Sequence, residues 1–559
     1  MTAARPGRRE LLLLLAILAL AMLTRLPGIA GRGRWDADQG HDMLVLRALA
    51  TRGEVPLLGP PTSIGTFHHG AVYYFLLAPA AIVSASDPVG VTGEVALFGI
   101  AAVAGAWWLA RLVGGPLAAV AAGLLAAISP AGIDESTFIW NPNLIPAAAA
   151  LAFAAAIMAR RTGQARWWIA SGLGAMVTMQ CHVLGVVIMA PLAWAWGADL
   201  VRRRRGGHET RGVLRGGLGA ALVIAAGFLP LLAYELGHDF AETRAILDYV
   251  AGGGRASGGS GVLERVALVG LRSITWPIAG LITDRVAVSL VTAMVVTLLG
   301  AIALVGRRRG DPARLPDGGF AEDLPSARWL AAGLGVSIVA LAVFAPSLAI
   351  IVPGLPNDHY HAFLDPVVLA LVGVGLARLA SVGARRPGAV TPGRGAVTLG
   401  RGAIAPGRGA VTPGRLAAGA LAALLAGVAI TSWPPAVAPD GGWPLADASA
   451  AEVLDITGDR QIRLDGIPPF KSADALRFPL ERRGADVTTD VESSQSSAYG
   501  NVVLVCDPLF DEVVGAACGG PAEDRWIAET PGLPKLGLER RIDAGPRRVI
   551  SIYAVAGAP

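Results

Sequence analysis

Apolar segments long enough to cross a membrane recur along most of the chain and alternate with short polar connections. The first runs from Leu11 to Leu26 and is preceded by arginines. Because no small-residue cleavage site follows it, we interpret it as a retained anchor with a cytoplasmic N-terminus. Later segments cover residues 142–159, 167–181, 183–199, 216–234, 286–306, 328–349, 362–381 and 416–432. The pattern predicts an all-α polytopic membrane domain over residues 1–433.

The early part of this domain contains a conflict. Three apolar segments lie near residues 67–86, 91–110 and 116–131. Three full crossings would place residues 134–141 inside, whereas the arginine cluster at Arg160 requires them to be outside. We therefore expect one of the three segments to be short or re-entrant, although the sequence does not indicate which. The pattern then predicts about 11 crossings.

Charge supports a membrane protein and orients it. The whole chain has a net charge of +5, but residues 434–559 contain 12 basic and 19 acidic side chains. Basic residues cluster in short connections, which is the positive-inside pattern and not the footprint of a nucleic-acid-binding protein. We expect a multi-pass plasma-membrane protein in which the connections after alternate spans, and the acidic tail, face the extracytoplasmic side.

The tail, residues 434–559, differs in character from the membrane domain. Strand-like runs at Asn501–Cys506 and Val549–Val555, with helix-compatible stretches between them, predict a small extracytoplasmic α/β domain. An oxidising compartment would permit a disulfide between Cys506 and Cys518, and the sequence leaves that pairing open.

Residues 386–415 contain a seven-residue repeat that begins at Arg394, Arg401 and Arg408. The period matches a coiled-coil heptad, but glycine and proline run through every copy and forbid a continuous helix. We interpret the segment as a disordered cytoplasmic linker, with a contact to anionic lipid as the alternative.

The densest polar cluster before the tail follows the first span, between Trp35 and Asp42. It places Asp36, Asp38, His41 and Asp42 close together in the sequence. In a helix, Asp38 and Asp42 would share a face at i, i+4 spacing. Charged groups at a membrane boundary need partners or a function. The alternative is a solvated loop with helix-capping aspartates.

The residues that follow this cluster resemble a known family. The order of Asp38-Gln39, the Leu-Gly-Pro-Pro-Thr-Ser segment, His68-His69-Gly and Tyr73-Tyr at the start of a span resembles the GT-C superfamily of membrane glycosyltransferases. More narrowly, it resembles the bacterial branch grouped with protein O-mannosyltransferases and aminoarabinose transferases. In that superfamily an Asp in the first outer loop provides the essential carboxylate. The resemblance places Asp38 there, with Gln39 where many members have Glu.

The resemblance implies transfer of a sugar from a polyprenyl-phosphate donor to a protein, lipid or polysaccharide acceptor outside the membrane. Asp38 would be the general base for the acceptor hydroxyl, supported by Asp36 and Asp42. Histidines or an outer arginine such as Arg244 or Arg272 would contact the leaving phosphate. The candidate substrate-binding residues are His68, His69, Tyr73, Asp134, Glu135, His182 and His359. Whether Asp36 and Asp38 hold a divalent cation, Mg²⁺ or Mn²⁺, is left open.

Structural interpretations compete with these roles. His182 also fits an interhelical hydrogen bond, and Tyr73 and Tyr74 fit aromatic anchors at the membrane interface. For the whole chain, the alternative function is a membrane transporter or lipid flippase, which would place ionisable residues deep within its spans. A non-catalytic scaffold is a third possibility.

Overall fold

The structure is a computed structural model. It describes residues 6–62, 67–251, 261–280, 285–305, 324–345, 348, 358–382, 412–458, 460–469, 473–489, 499–508, 511–546 and 548–556. Most of the predicted linker, residues 386–411, lies outside these ranges. Its last residues, from Pro413, instead begin a helix.

Helices build the first part of the chain. In order, they are α1 (Arg8–Arg25), α2 (Ile29–Arg32), α3 (Ala37–Arg52), α4 (Val72–Val83), α5 (Pro88–Ala127), α6 (Pro130–Asp134), α7 (Ile145–Thr162), α8 (Ala165–Cys181), α9 (Met189–Arg205), α10 (Arg211–Gly227), α11 (Leu229–Gly237), α12 (Ala241–Ala251), α13 (Val262–Ala279), α14 (Val286–Leu304), α15 (Leu324–Phe344), α16 (Asp365–Ser381) and α17 (Pro413–Thr431). Short 3₁₀ helices at Asn141–Leu144, Val183–Ile188 and Asp358–Leu364 precede α7, α9 and α16.

The helical part is a multi-span membrane domain. Within the described ranges, seven helical segments are long and apolar enough to cross a membrane, or eight if the bent pair α10 and α11 is one span. This criterion yields fewer spans than the 11 expected from the sequence. It leaves out α1, which carries Arg8, Arg9, Glu10 and Arg25, and α8, which has only 17 residues.

A break at Gly115 folds α5 into a helical hairpin. Gly115 has a φ of 80°, a left-handed conformation that glycine adopts without strain. A Cβ on Gly123 would lie 3.3 Å from the Cβ of Trp107. In a straight helix these residues would be about 24 Å apart along the axis. The two arms, residues 88–114 and 116–127, correspond to two of the three early apolar segments.

Polar contacts define the two ends of the helical domain. At one end, Glu10 pairs with Arg111 at 2.7 Å beside the hairpin turn, and Arg161 donates to the carbonyl of Leu112. At the other end, Arg25 donates to the carbonyls of Ala126 and Ala127 at the close of the second arm. Arg203 of α9 also donates to the carbonyl of Arg160 near the end of α7, so the arginine-rich ends of α1, α7 and α9 lie together at the first end.

Helix α4 has both of its ends at the second end of the domain. The Val72 N–H donates to the Gln180 side chain, and Asp87, just after α4, pairs with Arg482 of the C-terminal domain at 2.7 Å. Because both ends of α4 lie at the same end of the domain, the predicted segment 67–86 is the one of the three that does not run from end to end, which removes the early conflict.

The C-terminal domain is a five-stranded mixed sheet with helices on both faces. Its elements are α18 (Gly442–Thr457), β1 (Ile462–Ile467), α19 (Asp474–Arg482), β2 (Val487–Thr488), β3 (Asn501–Cys506), α20 (Asp511–Val514), α21 (Pro521–Glu529), β4 (Leu536–Asp543) and β5 (Val549–Val555). The strand order is β2-β1-β3-β5-β4. Strand β1 pairs in parallel with β2 and β3, whereas β5 is antiparallel to β3 and β4.

The two strand-like runs predicted from the sequence coincide with β3 and β5. Apolar residues of α18 and α19 pack on one face of the sheet, and those of α21 on the other. Cys506, at the end of β3, forms a disulfide with Cys518, which settles the pairing that the sequence left open. Cys181 is buried and free in the membrane domain.

The C-terminal domain docks on α3 through an aromatic cluster. The Trp35 ring lies 4.7 Å from Trp443 and 5.8 Å from Phe478, measured between centroids. Its indole N–H donates to the carbonyl of Ala475 at 2.8 Å. Beside it, Gly40 brings the backbone of α3 against that of α19, since a Cβ there would lie 1.9 Å from the carbonyl oxygen of Asp474.

We expect Gly40→Ala to displace the C-terminal domain from α3, because the new methyl group would overlap a backbone atom that cannot rotate away. Limited proteolysis of the purified protein should release the tail faster than in the wild type. Gly31→Ala is the matched control, since its Cβ would meet nothing closer than 4.0 Å. Equal cleavage of both variants would contradict the expectation.

Candidate functional site

The first turn of α3 is fixed by a capping box. The Asp36 side chain accepts the N–H of Asp38 at 3.0 Å, and the Gln39 side chain accepts the N–H of Asp36 at 2.9 Å. Gln39 also donates its amide N–H to the carbonyl of Ile139 at 2.9 Å. A glutamate carboxylate at this position could accept the Asp36 N–H but could not donate to the Ile139 carbonyl. The second bond therefore requires the glutamine amide. Asp36 is thus the helix cap, as the structural alternative held.

Asp42 lies buried beneath that turn. The hydroxyls of Tyr73 and Tyr74 donate to its two oxygens at 2.7 and 2.9 Å. Burial raises the pKa of Asp42 to about 7, although His41 and the two tyrosine bonds oppose the rise. Both tyrosines are fully buried, so they are partners of Asp42 and not interfacial anchors.

Asp38 lies one helical turn before Asp42 and is only half-buried. Its negative charge contributes to the raised pKa of Asp42, so the two carboxyl groups are close in space. Of the aspartates in this turn, Asp36 caps the helix and Asp42 is enclosed by tyrosines.

The raised pKa of Asp42 predicts a pH dependence of stability. Since its folded pKa exceeds the unfolded value, the stabilising effect is complete below about pH 4 and is lost as the pH rises to about 7. Asp42→Asn should lack this loss, which amounts to at most about 4 kcal/mol for a shift of roughly three pKa units. Thermal unfolding of both proteins from pH 4 to 8 measures it, and parallel curves would contradict it.

His41 faces the C-terminal domain. Its Nδ1 lies 3.1 Å from Asp474 Oδ2 at the start of α19. Partial burial lowers the pKa of His41, but the bond to Asp474 and the charges of Asp42 and Asp38 outweigh this effect and raise it. His41 therefore keeps its proton to a higher pH than a free imidazole does, and it lies on the same helix as Asp38.

Three histidines from distant segments form a second group. The ring of His182 lies 4.8 Å from that of His69 and 5.4 Å from that of His359. Tyr360 and Trp140 complete the cluster, at 4.8 Å from His182 and 4.3 Å from His359. The structure thus brings together three candidates that are far apart in the sequence.

Backbone contacts fix the tautomers of two of these rings. Nδ1 of His69 accepts the N–H of Val183 at 3.3 Å, and Nδ1 of His182 accepts that of Leu184 at 3.2 Å. Burial lowers the pKa of His69 to about 3 and that of His182 well below its usual value. Both rings are therefore neutral, and each carries its proton on Nε2 as a donor.

His68 points away from this cluster. Its Nδ1 lies 2.9 Å from Glu242 Oε1, and its backbone N–H donates to the other oxygen of the same carboxylate at 2.7 Å. Glu242 is buried on α12. This pair ties the loop after α3 to the segment after α11.

The acidic residues of the 130–140 segment separate into two environments. Asp134 forms a half-exposed ion pair with Arg34 at 3.2 Å. Glu135 is buried and accepts the indole N–H of Trp276 at 3.2 Å. Burial, followed by the charge of Asp134, raises the pKa of Glu135 to about 8.

A buried charge cluster lies next to Glu135. The Arg272 guanidinium donates to both oxygens of Asp358 at 2.9 and 2.7 Å, and His361 Nε2 lies 3.0 Å from the same carboxylate. Arg272 is only 1% exposed. It is thus committed to Asp358, and does not fit the outer arginine expected to contact a phosphate.

Two contacts join these groups at the second end of the helical domain. Gln39 of α3 bonds to Ile139, and the ring of the next residue, Trp140, packs against His359. The carboxylates of α3 and the histidine cluster are therefore linked through one short segment. Within the described ranges, no group of three or more His, Cys, Asp or Glu side chains is arranged to hold a metal ion.

Sequence reasoning missed partners on distant elements. Asp474, Glu242 and Trp276 each contact a predicted candidate, yet none belongs to a recognisable motif. Tyr360 was adjacent to His359 and could have been included on that ground. A further signal was the placement of Glu242 and Trp276 in the long connection between the apolar segments 216–234 and 286–306.

No protein-family model matches the sequence, and no curated protein matches it either. Solved structures do. ArnT from Cupriavidus metallidurans in the apo state matches with 14% identity and a TM-score of 0.57, covering 98% of each chain. The same protein bound to undecaprenyl phosphate matches with 15% identity and a TM-score of 0.58, again over 98% of each chain. The predicted resemblance is thus confirmed as far as the fold, which this chain shares with ArnT along its whole length.

Proposed function

We propose that this protein transfers a sugar from a polyprenyl-phosphate donor to an acceptor hydroxyl at the outer face of the membrane. The observation that carries the proposal is the placement of Asp38, a half-buried carboxylate at the end of the helical domain where the C-terminal domain docks. The ArnT fold supports it, since ArnT itself has been seen bound to undecaprenyl phosphate.

In the proposed reaction, Asp38 accepts the proton of the acceptor hydroxyl as its oxygen attacks the anomeric carbon of the sugar. The bond between that carbon and the phosphate oxygen breaks, and polyprenyl phosphate leaves with the electron pair. Asp36 supports this step by fixing the first turn of α3, and Asp42 by holding that turn to α4 through Tyr73 and Tyr74.

The leaving phosphate needs hydrogen-bond donors more than a general acid, because it is already a good leaving group. His69 and His182 offer their Nε2–H groups, which the backbone bonds to Nδ1 hold in place. His359, Asp134 and Glu135 lie on the neighbouring segments and are proposed to line the donor site. His68 supports the loop through Glu242.

We propose that the arginine-rich end of the domain is cytoplasmic and that the chain crosses the membrane 11 times. The crossings are α1, the two arms of α5, α7, α8, α9, the α10–α11 pair, α14, α15, α16 and α17. This arrangement places Asp38 and the whole C-terminal domain on the extracytoplasmic side.

A transporter or lipid flippase is the second candidate function. One observation favours it: Arg272, Asp358 and Glu135 are ionisable groups buried among the helices. Against it, Arg272 is paired directly with Asp358, so the pair accounts for the packing of α13 against the 3₁₀ helix before α16 without a moving ion.

The test uses the purified full chain in proteoliposomes with polyprenyl-phosphate donors carrying mannose, glucose or arabinose, offered with an envelope extract as acceptor. We expect release of polyprenyl phosphate and transfer of label from one of these donors. Movement of a fluorescent polyprenyl lipid between leaflets, without any cleavage of donor, would instead support the flippase function.

A further inference from the structure

The first turn of α19 contacts the helix that carries Asp38. Asp474 Oδ2 lies 3.1 Å from His41 Nδ1, and the next residue, Ala475, accepts the Trp35 indole N–H. The two helices are so close that a side chain at Gly40 would overlap the carbonyl of Asp474. Helix α19 follows β1, so the carboxyl edge of the parallel strands, where α/β domains commonly place functional groups, faces α3.

Three carboxylates surround His41. Asp38 and Asp42 come from its own helix, and Asp474 comes from α19. On α4, the hydroxyls of Tyr73 and Tyr74 are bonded to Asp42.

The charged groups further along α19 are occupied elsewhere. Arg477 pairs with Glu481 at 2.6 Å within α19. Among the described residues, Asp474 is therefore the acidic group that the C-terminal domain contributes to this histidine.

A carboxylate that accepts a hydrogen bond from the Nδ1–H of a histidine fixes the orientation of the ring and keeps a proton on Nδ1. Resting on the transferase function proposed above, we propose that Asp474 is a positioning residue of the transfer site, which holds His41 as an imidazolium beside Asp38. The positive charge offsets the repulsion between the Asp38 carboxylate and the anionic phosphate of the donor. The C-terminal domain thereby completes the site and does not merely cover it.

The pH profile of sugar transfer tests this role. Asp474→Asn removes the charge but keeps the shape, so His41 loses its proton at a lower pH. We expect transfer within about threefold of the wild type at pH 6 and about tenfold lower at pH 8, since one pKa unit corresponds to a factor of about ten. Asp474→Glu should restore most of the activity at pH 8.

Asp447→Asn is the matched control, because Asp447 forms an exposed ion pair with Arg483 in the same domain. We expect it to show the wild-type profile. A loss that is the same at every pH in Asp474→Asn would indicate structural support alone and overturn the proposal.

A second measurement separates this proposal from the function on which it rests. If the wild type transfers no sugar, the transferase function fails, and the ion pair is judged by thermal unfolding. The stability it provides is present while His41 is protonated and is lost as the pH rises through the raised pKa. Wild type and Asp474→Asn should therefore differ more in unfolding midpoint at pH 6 than at pH 9. An equal difference at both would overturn the proposal.

Discussion

Asp38→Asn should lower sugar transfer by about 10²- to 10⁴-fold, the usual contribution of a general base. The amide has nearly the same shape as the carboxylate but cannot take the proton of the acceptor hydroxyl. Because Asp38 is only half-buried, the change should leave folding intact. Transfer from labelled polyprenyl-phosphate sugar by equal amounts of purified protein measures the effect.

The same substitution at Asp447, an exposed residue of the C-terminal domain, controls for general effects of losing a carboxylate. Binding of the donor lipid should survive Asp38→Asn, because the proposed phosphate contacts come from His69 and His182. Transfer at the wild-type rate by Asp38→Asn would remove this residue from the chemistry.

Arg272→Met should destabilise the protein by about 3–5 kcal/mol, because it leaves the Asp358 carboxylate buried without its bidentate partner. This effect is expected to exceed that of any single surface change. Thermal unfolding in detergent, together with the yield of folded protein, measures it.

The double variant Arg272→Met with Asp358→Leu should recover at least half of the loss, since it removes the stranded charge and keeps the site filled. Arg525→Met is the control on an exposed pair with Glu529 and should cost less than about 0.5 kcal/mol. If the double variant is less stable than the single one, hydrogen bonds to His361 matter more than the charge pair.

Much of the architecture could be predicted from local pattern. Hydropathy and arginine placement indicated a polytopic domain with its basic connections at one end, and the β-branched runs located β3 and β5 to the residue. The hairpin at Gly115 was harder, because a glycine followed by proline also fits a simple kink. Only the approach of Gly123 to Trp107 distinguishes the two.

The site was predictable in its residues but not in its pairings. The polar cluster before α3 and the His-His-Gly segment were visible as motifs, and the family resemblance gave Asp38 a role that remains a prediction. The bond between His41 and Asp474 joins residues 433 positions apart, and no spacing rule connects them. Arg272 shows the same difficulty. The sequence alone does not distinguish an exposed arginine in an outer connection from one that is buried against Asp358.

The attachment of Trp35 to the tail also determines when the segment before α3 can reach its final structure. Its backbone N–H can bond to Asp440 only after 405 further residues have been made, and its indole N–H to Ala475 only after 440. At about 5–20 residues per second of synthesis, that interval lasts roughly 20–90 s. A nascent chain therefore inserts nearly all of its helices while its earliest outer segment is still incomplete. On the proposed topology, export of the last domain is the final assembly step, so a truncated translation product would occupy the membrane without the contacts that fix Trp35 before α3.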